Sequence, residues 1–242
     1  MVRMKYKIAD FIVEINNKHN YLTEQCADFK FDGDDGADIV VDVSNEDICK
    51  ERSLNTAQYS DGYLESVCAY RKLCLKLPPE NALLLHGSVI SYEDRGIIFL
   101  ARSGVGKTTH TMIWKKIYGD KVKIINGDKP IIRFFDNIPF AYGTPWAGKE
   151  NYYSNEKVKL TDICFLERGA DNCAMKANSE EFLNFLMNQV LLPSDEKALD
   201  KTLELVESLL LKCNLWSIKC NLGDDAALVV HDRIFSEDRT CD

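Results

Sequence analysis

The most chemically informative segment of the chain covers residues 101–109 and reads ARSGVGKTT. It matches the P-loop (Walker A) pattern G-x-x-x-x-G-K-[ST], with Ala101 at the position of the first glycine. Such loops bind phosphate oxygens through successive backbone N–H groups and through the positive N-terminus of the helix that follows. The residues expected to bind a nucleotide are Ser103, Gly104, Val105, Gly106, Lys107, Thr108 and Thr109.

Two side chains of this phosphate-binding loop have specific expected roles. Lys107 is expected to reach the β- and γ-phosphates as a catalytic residue, and Thr108 to offer its hydroxyl to Mg²⁺. The surrounding pattern suits this interpretation, because an apolar strand at 97–100 precedes the loop and helical spacing over 108–118 follows it. The sequence therefore predicts ATP and Mg²⁺ as cofactors. The alternative is a glycine-rich turn that merely opens a helix.

A metal-bound triphosphate also needs a carboxylate near the loop, and Asp128 is the first candidate. It follows a buried strand at 122–125 and lies 21 residues after Lys107. Asp128 is expected either to hold Mg²⁺, directly or through water, or to accept a proton from an acceptor hydroxyl. The alternative is an aspartate that caps a turn before Pro130. Its neighbour Lys129 is expected to balance phosphate charge or to be an ordinary exposed lysine.

Three segments together resemble the catalytic domain of HPr kinase/phosphorylase and the related ATP-type phosphoenolpyruvate carboxykinase. They are Leu85-His86-Gly87, residues 103–108 and Gly127-Asp128. In the HPr kinase family a His-Gly pair lies on a strand before the loop strand, and an Asp-Asp pair follows the helix. Here the acidic pair is reduced to Gly127-Asp128, which leaves one carboxylate where the family divides metal binding and proton transfer between two.

The chain is still more similar to compact bacterial members of this superfamily, which have about the same length. These proteins combine an apolar strand ending in His with three further motifs: S-G-x-G-K-[ST]-T-H, N-[DG]-D-K-P and G-T-P-W. The corresponding segments here are residues 83–87, 103–110, 126–130 and 143–146. The resemblance implies ATP-dependent transfer of the γ-phosphate to a hydroxyl. The acceptor would be a serine-type residue of a protein or peptide, or a small hydroxylated molecule.

Two histidines are interpreted with the help of this resemblance. The family pattern implies that His86 is catalytic and stands near the γ-phosphate or the acceptor, whereas the plainer alternative is a core histidine bonded to the backbone. His110 lies three residues beyond Lys107 in the first turn of the expected helix. Packing against a neighbouring strand is the favoured interpretation of His110, ahead of a nucleotide contact.

Two further cations are candidate contacts for phosphate or acceptor. The loop Gly143–Glu150 carries Lys149 beside Trp146, and this pair would suit an acceptor clamp or, equally, a rigid turn with the indole packed inward. Arg168 follows a strand end. It is expected either to stabilise transferring charge or to pair with Glu167.

The pattern of elements predicts an α/β fold, namely a P-loop core of mixed β-sheet flanked by helices, with a small β-rich N-terminal portion and a helical C-terminal portion. Alternation over residues 6–15 is typical of one strand, and helical spacing starts near Ser179. We expect an N-terminal β/α portion at 1–80. The HPr kinase-like nucleotide-binding domain with its helical tail is expected at 81–242.

Composition limits the classes of partner. The 242 residues carry a formal net charge of −8, which disfavours a nucleic-acid partner. No apolar run approaches the ~20 residues of a membrane helix. The nine cysteines are odd in number and lack a C-x-x-C pair, which favours reduced thiols in the cytoplasm over disulfides or zinc.

Two other functions compete with the kinase interpretation. The first is a nucleotide-binding regulatory or assembly module with little or no transferase activity, which the reduced acidic pair favours. The second is carboxykinase activity on oxaloacetate. The 242-residue chain is short for that whole architecture.

Overall fold

The N-terminal part of the chain forms a small sheet covered by helices. The computed structural model describes residues 2–236. The strands have the order β1-β2-β3, with β2 antiparallel to β1 and parallel to β3. The elements of this part are β1 (Val2–Ile8), β2 (Phe11–Asn17), α1 (Asn20–Gln25), β3 (Ile39–Asp42), α2 (Asn45–Ser53) and α3 (Asp61–Lys76).

The prediction of one strand over residues 6–15 is wrong. A tight turn at Ala9 and Asp10, with φ of 53° and 61°, divides it into the hairpin β1–β2. Left-handed backbone at both turn positions matches the right-handed twist of the flanking strands. The two helices after β3 begin at serine caps. Ser44 forms a reciprocal capping box at α2, and Ser60 accepts from a backbone N–H at α3.

The rest of the described chain builds a nine-stranded mixed sheet flanked by helices, which confirms the α/β prediction. Its C-terminal part is helical, as expected, apart from the two strands β11 and β12. The elements are β4 (Ala82–Leu84), β5 (Ser88–Tyr92), β6 (Arg95–Ala101), α4 (Lys107–Tyr118), β7 (Val122–Asn126), β8 (Ile131–Phe135), β9 (Ile138–Tyr142), β10 (Lys157–Arg168), β11 (Cys173–Lys176), α5 (Ser179–Met187), α6 (Glu196–Lys212), β12 (Asn214–Cys220) and α7 (Asp225–Ser236).

The long strand β10 takes part in both antiparallel and parallel pairing in this sheet. Its first three residues pair antiparallel with β9. From Leu160 onward it runs parallel to β6, and from Asp162 onward it also runs parallel to β12. Strand β5 is antiparallel to both β6 and β7, so β6, β7, β10 and β12 all point the same way.

This common direction brings four connections to one edge of the sheet. The loops that follow β6, β7 and β10 all leave from the carboxyl ends of their strands, and β5 begins at the same edge. Ligands of open α/β sheets bind at the carboxyl ends of strands. The segments expected to carry chemistry, at 101–109, 127–129, 168 and 86, therefore all belong to this edge.

Buried apolar side chains stabilise the elements that form this edge of the sheet. Strand β6 is buried from Gly96 to Ala101, and α4 packs Ile113 and Trp114 against the sheet. Burying such side chains stabilises the fold by about 1.5–3 kcal/mol each. None of the helices within residues 2–236 combines the length and the apolar character needed to cross a membrane.

Candidate active site

The phosphate-binding loop connects β6 to α4 in the arrangement that the sequence predicts. Gly104 and Gly106 have φ of +79° and +120°, which glycine adopts without strain. Among the described residues with positive φ, Ala101 does not occur, so the alanine at the first glycine position requires no left-handed backbone. Helix α4 begins at Lys107, and its N-terminus points its free N–H groups at the loop.

Lys107, His86 and Asp128 meet at this edge. The Lys107 Nζ lies 3.3 Å from His86 Nε2. The same Nε2 lies 3.1 Å from Asp128 Oδ1, and Lys129 Nζ donates to Asp128 Oδ2 at 2.5 Å. Three cationic or proton-carrying groups thus surround one carboxylate. This is the environment in which a transferring phosphoryl group can be bound and neutralised.

The charges at this cluster are tuned by burial and by pairing. Burial is the largest single influence on Asp128 and acts to raise its pKa, but the hydrogen bond to His86 and the charge of Lys129 together lower the pKa to about 2. Burial also lowers the pKa of Lys107, while the negative charge of Asp128 acts to raise it. Asp128 therefore carries a full negative charge at neutral pH.

The buried side chain of Asn126 shapes the turn that holds Asp128. Its Oδ1 accepts from the backbone N–H of Asp128 at 2.9 Å and of Lys129 at 2.7 Å. Its Nδ2 donates to the Thr144 carbonyl at 3.0 Å. No role was predicted for Asn126 from the sequence, although an Asn-Gly-Asp run at the end of a strand is a signal for this kind of turn.

The backbone around His86 is held by two separate segments, the turn at 128–130 and residue 189 just after α5. The Leu85 N–H donates to the Pro130 carbonyl, the His86 N–H to the Gln189 carbonyl, and the Gly87 N–H to the Asp128 carbonyl. The side chain of His86 is 39% exposed, so it is not a core histidine. Gln189 was not predicted, because nothing near His86 in the sequence points to a residue a hundred positions away.

A cleft of about 1040 Å³ opens above this cluster. Of the predicted loop residues, six line it, and Val105 packs instead against the core of the large sheet. The opposite wall comes from the N-terminal part, which places α1, α2 and α3 across the cleft from the phosphate-binding loop. The residues of that wall are Tyr21, Glu24, Gln25, Glu51, Asn55, Tyr63, Leu64, Ser66, Val67, Tyr70 and Arg71.

The loop that carries Trp146 and Lys149 is divided between two roles. Trp146 is buried, and its Nε1 donates to Ser66 Oγ on α3 at 3.0 Å, so the indole packs inward and ties the loop to the N-terminal part. Lys149 is exposed and lines the cleft. Trp146 also lines the cleft, but it is only 5% exposed, so the structure favours the alternative of an inward-packed indole and leaves Lys149 as the accessible group of the pair.

Arg168 and His110 support the site from outside the cleft. Arg168 Nη2 donates to the Gly104 carbonyl at 2.7 Å, and Arg168 Nε lies 3.5 Å from the Val105 carbonyl. The guanidinium thus binds the loop backbone rather than Glu167. His110 Nε2 accepts from Trp114 Nε1 at 3.1 Å, and burial lowers the pKa of His110 to about 4. His110 is a packing residue, as favoured.

The site offers two oxygen ligands that fit a magnesium ion. Thr108, in the first turn of α4, brings a hydroxyl to the cleft wall, and Asp128 brings its carboxylate. Among residues 2–236 no group of three or more His, Cys, Asp or Glu side chains could hold a metal by itself. Mg²⁺ commonly takes only one or two protein oxygens and completes its shell with phosphates and water, so this sparse set suits Mg²⁺ carried by a nucleotide.

None of the eight cysteines within residues 2–236 lines this cleft. Eight of the nine are described and all eight are free thiols; Cys241 lies outside the described residues. Burial raises the pKa of Cys26, Cys74 and Cys213 to about 12, which leaves these sulfurs protonated and unreactive.

Comparisons with known proteins give one remote structural likeness. No protein-family model matches the chain, and no protein of curated function matches it. Among solved structures, it is similar to the Hpr(Ser) kinase/phosphatase from Coxiella burnetii, with a TM-score of 0.40 and 8% sequence identity over 65% of this chain and 93% of that chain.

Proposed function

We propose that the protein is an ATP-dependent kinase that transfers the γ-phosphate to a hydroxyl acceptor, in the manner of HPr serine kinases. One observation carries the proposal: the Lys107 ammonium lies 3.3 Å from a His86–Asp128 pair at the foot of a phosphate-binding loop. A nucleotide whose phosphates lie along residues 103–109 would therefore present its γ-phosphate to this pair.

In the proposed reaction the acceptor oxygen forms a bond to the γ-phosphorus while the bond to the oxygen bridging β- and γ-phosphorus breaks, and ADP leaves. The hydroxyl proton passes to Asp128. A carboxylate with a pKa of about 2 is a weak base. That strength is enough when the transition state is loose and the proton leaves late. His86, on the same carboxylate, keeps Asp128 oriented.

The cationic side chains of the site would neutralise the negative charge of the phosphates. Lys107, Lys129 and Lys149 line the cleft, and Arg168 fixes the loop whose N–H groups bind the phosphates. Mg²⁺ would neutralise phosphate charge, and Thr108 would hold it together with Asp128, the latter through a bridging water that leaves the carboxylate able to take the proton. Catalysis by this site is mainly positioning and charge neutralisation.

The proposal also covers the cellular compartment, the class of partner and the division into domains. Eight free thiols favour a reducing compartment, which we take to be the cytoplasm. The net charge of −8 disfavours nucleic acid as a partner. We retain the division into residues 1–80, which would help to bind the acceptor, and residues 81–242, which would bind the nucleotide.

A second candidate function is a nucleotide-binding switch or assembly module with little transfer. It is favoured by one feature, the single carboxylate at Gly127-Asp128, whose two oxygens are both occupied, by His86 and by Lys129. Such a module would hydrolyse ATP slowly and label no acceptor.

Incubation with γ-labelled ATP in a lysate of the native organism distinguishes the kinase from the nucleotide-binding switch. The kinase predicts a labelled molecule that gains about 80 Da, the mass of one phosphoryl group, when analysed by mass spectrometry. Inorganic phosphate as the sole labelled product would favour the switch.

A further inference from the structure

The wall of the cleft that faces the phosphate-binding loop is aromatic. Tyr21 and Tyr63 both line it, with ring centroids 6.1 Å apart and planes at 81°. They are 41% and 38% exposed, so their surfaces are open to the cavity and to solvent. Tyr59, which is outside the cavity lining, packs against Tyr63 with ring centroids 4.8 Å apart and planes tilted by 31°, and so supports that ring. Two perpendicular rings form a corner of the kind that binds cations through ring quadrupoles.

The same wall carries negative charge. Glu24 lies three residues after Tyr21 on α1, which puts both side chains on one face of the helix. Among the residues described, Glu24 has no ion-pair partner. Deeper in the wall, Glu51 is 8% exposed and its charge is matched by Arg71 at 3.2 Å. The carboxylate of Glu24 is thus the one available to a ligand at the tyrosine corner.

The protein's own cations do not cover this corner. Lys129 lies over the ring of Tyr70, 5.4 Å from its centroid, at the phosphate side of the cleft. Within residues 2–236 no lysine or arginine lies over Tyr21 or Tyr63. The cleft is therefore divided: Lys107 and Lys129 mark a half suited to phosphates, and the tyrosine corner with Glu24 marks a half that has a carboxylate and no cation over its rings.

We infer that the hydroxyl acceptor is itself cationic, and that its protonated amine or quaternary ammonium group binds between Tyr21, Tyr63 and Glu24 while its hydroxyl faces Asp128. This inference rests on the proposed kinase function, because it assigns the half of the cleft that the nucleotide leaves free. It names a chemical class, a hydroxylated amine, which is supplied either by a small amino alcohol or by a basic side chain near a serine in a peptide.

The test uses the full chain and two probes of equal shape. Choline carries a hydroxyl and a quaternary ammonium, and 3,3-dimethylbutan-1-ol is its uncharged counterpart. Binding is measured by NMR titration for the wild type and for Tyr63→Leu, Glu24→Gln and Lys107→Ala. Glu46→Gln, which removes an exposed carboxylate in the first turn of α2, is the matched control.

We expect choline to bind saturably and the uncharged alcohol at least about tenfold more weakly. Tyr63→Leu and Glu24→Gln should each weaken choline binding by about five- to tenfold, and Glu46→Gln should leave it unchanged. Lys107→Ala should still bind choline, so a failure of phosphoryl transfer alone would not affect this result. Equal binding of both probes, or choline binding indifferent to Tyr63 and Glu24, would overturn the inference.

A second arm identifies the source of the cation. A short serine peptide flanked by lysines is added to the choline complex. Displacement of choline supports a basic peptide as the acceptor, and retained choline supports a small amino alcohol. Displacement that is just as strong with the same peptide flanked by glutamates would contradict a cation site.

Discussion

At the scale of single residues, the proposed chemistry centres on Asp128, whose carboxylate contacts both His86 and Lys129. Asp128→Asn should lower phosphoryl transfer by about 10²–10⁴-fold, because the amide neither takes the proton nor carries the charge. The backbone should keep its place, since Asn126 holds it by way of the main-chain N–H groups. Transfer rates and circular dichroism spectra check the two halves of the prediction.

The matched control for that variant is Asp120→Asn, which changes a fully exposed aspartate paired with Lys115 near the end of α4. Its transfer rate should equal that of the wild type. A rate for Asp128→Asn within threefold of the Asp120→Asn rate would remove Asp128 from the mechanism.

His110 gives the fold a pH dependence of known sign. Burial lowers its pKa from 6.5 to about 4, so below pH 6.5 the unfolded chain takes up a proton that the folded chain refuses. The stability that neutral His110 contributes is complete above pH 6.5 and is lost as the pH falls towards 4. His110→Gln keeps an acceptor for the Trp114 N–H. This variant should reduce the slope of the unfolding free energy against pH by up to about 1.4 kcal/mol per pH unit.

Urea denaturation of both proteins between pH 4 and pH 8 measures this difference. Parallel curves for wild type and His110→Gln would show that His110 titrates normally in the folded state.

At this scale the sequence identified residues that the structure brings close together. Lys107 belongs to a pattern of adjacent residues, and in the structure it lies beside the His86–Asp128 pair. No role was predicted for Asn126, although its bonds to the Asp128 and Lys129 N–H groups are local, and its bond to the Thr144 carbonyl, 18 positions away, has no signal in the sequence. The roles of these residues in catalysis stay predictions until activity is measured.

At the scale of elements, the end of β10 controls the phosphate-binding loop through Arg168. Because Arg168 binds the Gly104 carbonyl, Arg168→Ala should loosen the loop and raise the Kd for ATP by about five- to tenfold. The fold should stay intact, since the guanidinium is exposed. Calorimetric titration with a non-hydrolysable ATP analogue measures the change.

Lys159→Ala removes an exposed cation from the same strand and is the control. Equal ATP affinity for Arg168→Ala and Lys159→Ala would show that the contact with the loop has no role in nucleotide binding.

Elements with strong local signals were predicted, and pairings between distant segments were not. The loop between β6 and α4 follows from a short pattern of residues. The turn at Ala9 and Asp10 was missed because neither residue is the asparagine or glycine that favours left-handed backbone. The parallel pairing of β10 with β12 depends on helices α5 and α6 between them, whose packing no spacing rule specifies.

At the scale of the whole molecule, the two walls of the cleft are joined by the hydrogen bond from Trp146 to Ser66. Ser66→Ala leaves the buried indole N–H unpaired, which should cost about 1–3 kcal/mol of unfolding free energy. It should also slow phosphoryl transfer while the Kd for ATP stays within twofold, because the nucleotide half of the cleft is untouched.

Ser53→Ala, at the exposed C-terminal end of α2, is a control of the same chemical change. Should Ser66→Ala weaken ATP binding as much as it slows transfer, the cleft would not be divided into nucleotide and acceptor halves as we propose.

The net charge of −8 takes on a more specific meaning in the folded molecule. The lining of the cleft is balanced, with four cations (Arg71, Lys107, Lys129 and Lys149) and four carboxylates (Glu24, Glu51, Asp128 and Glu150). The cleft is therefore less negative than the molecule as a whole, which would ease the approach of the proposed anionic nucleotide. Composition gives only the total charge, whereas the fold shows how that charge is distributed.

The central claim is that the Lys107 ammonium serves phosphoryl transfer, and one comparison tests it most directly. The rate of label transfer from γ-labelled ATP to acceptor is measured for the wild type, Lys107→Ala and Lys121→Ala, an exposed lysine beyond the end of α4. We predict that Lys107→Ala loses at least about 10³-fold in rate with an unchanged circular dichroism spectrum, and that Lys121→Ala matches the wild type. Transfer by Lys107→Ala at the wild-type rate would contradict the account.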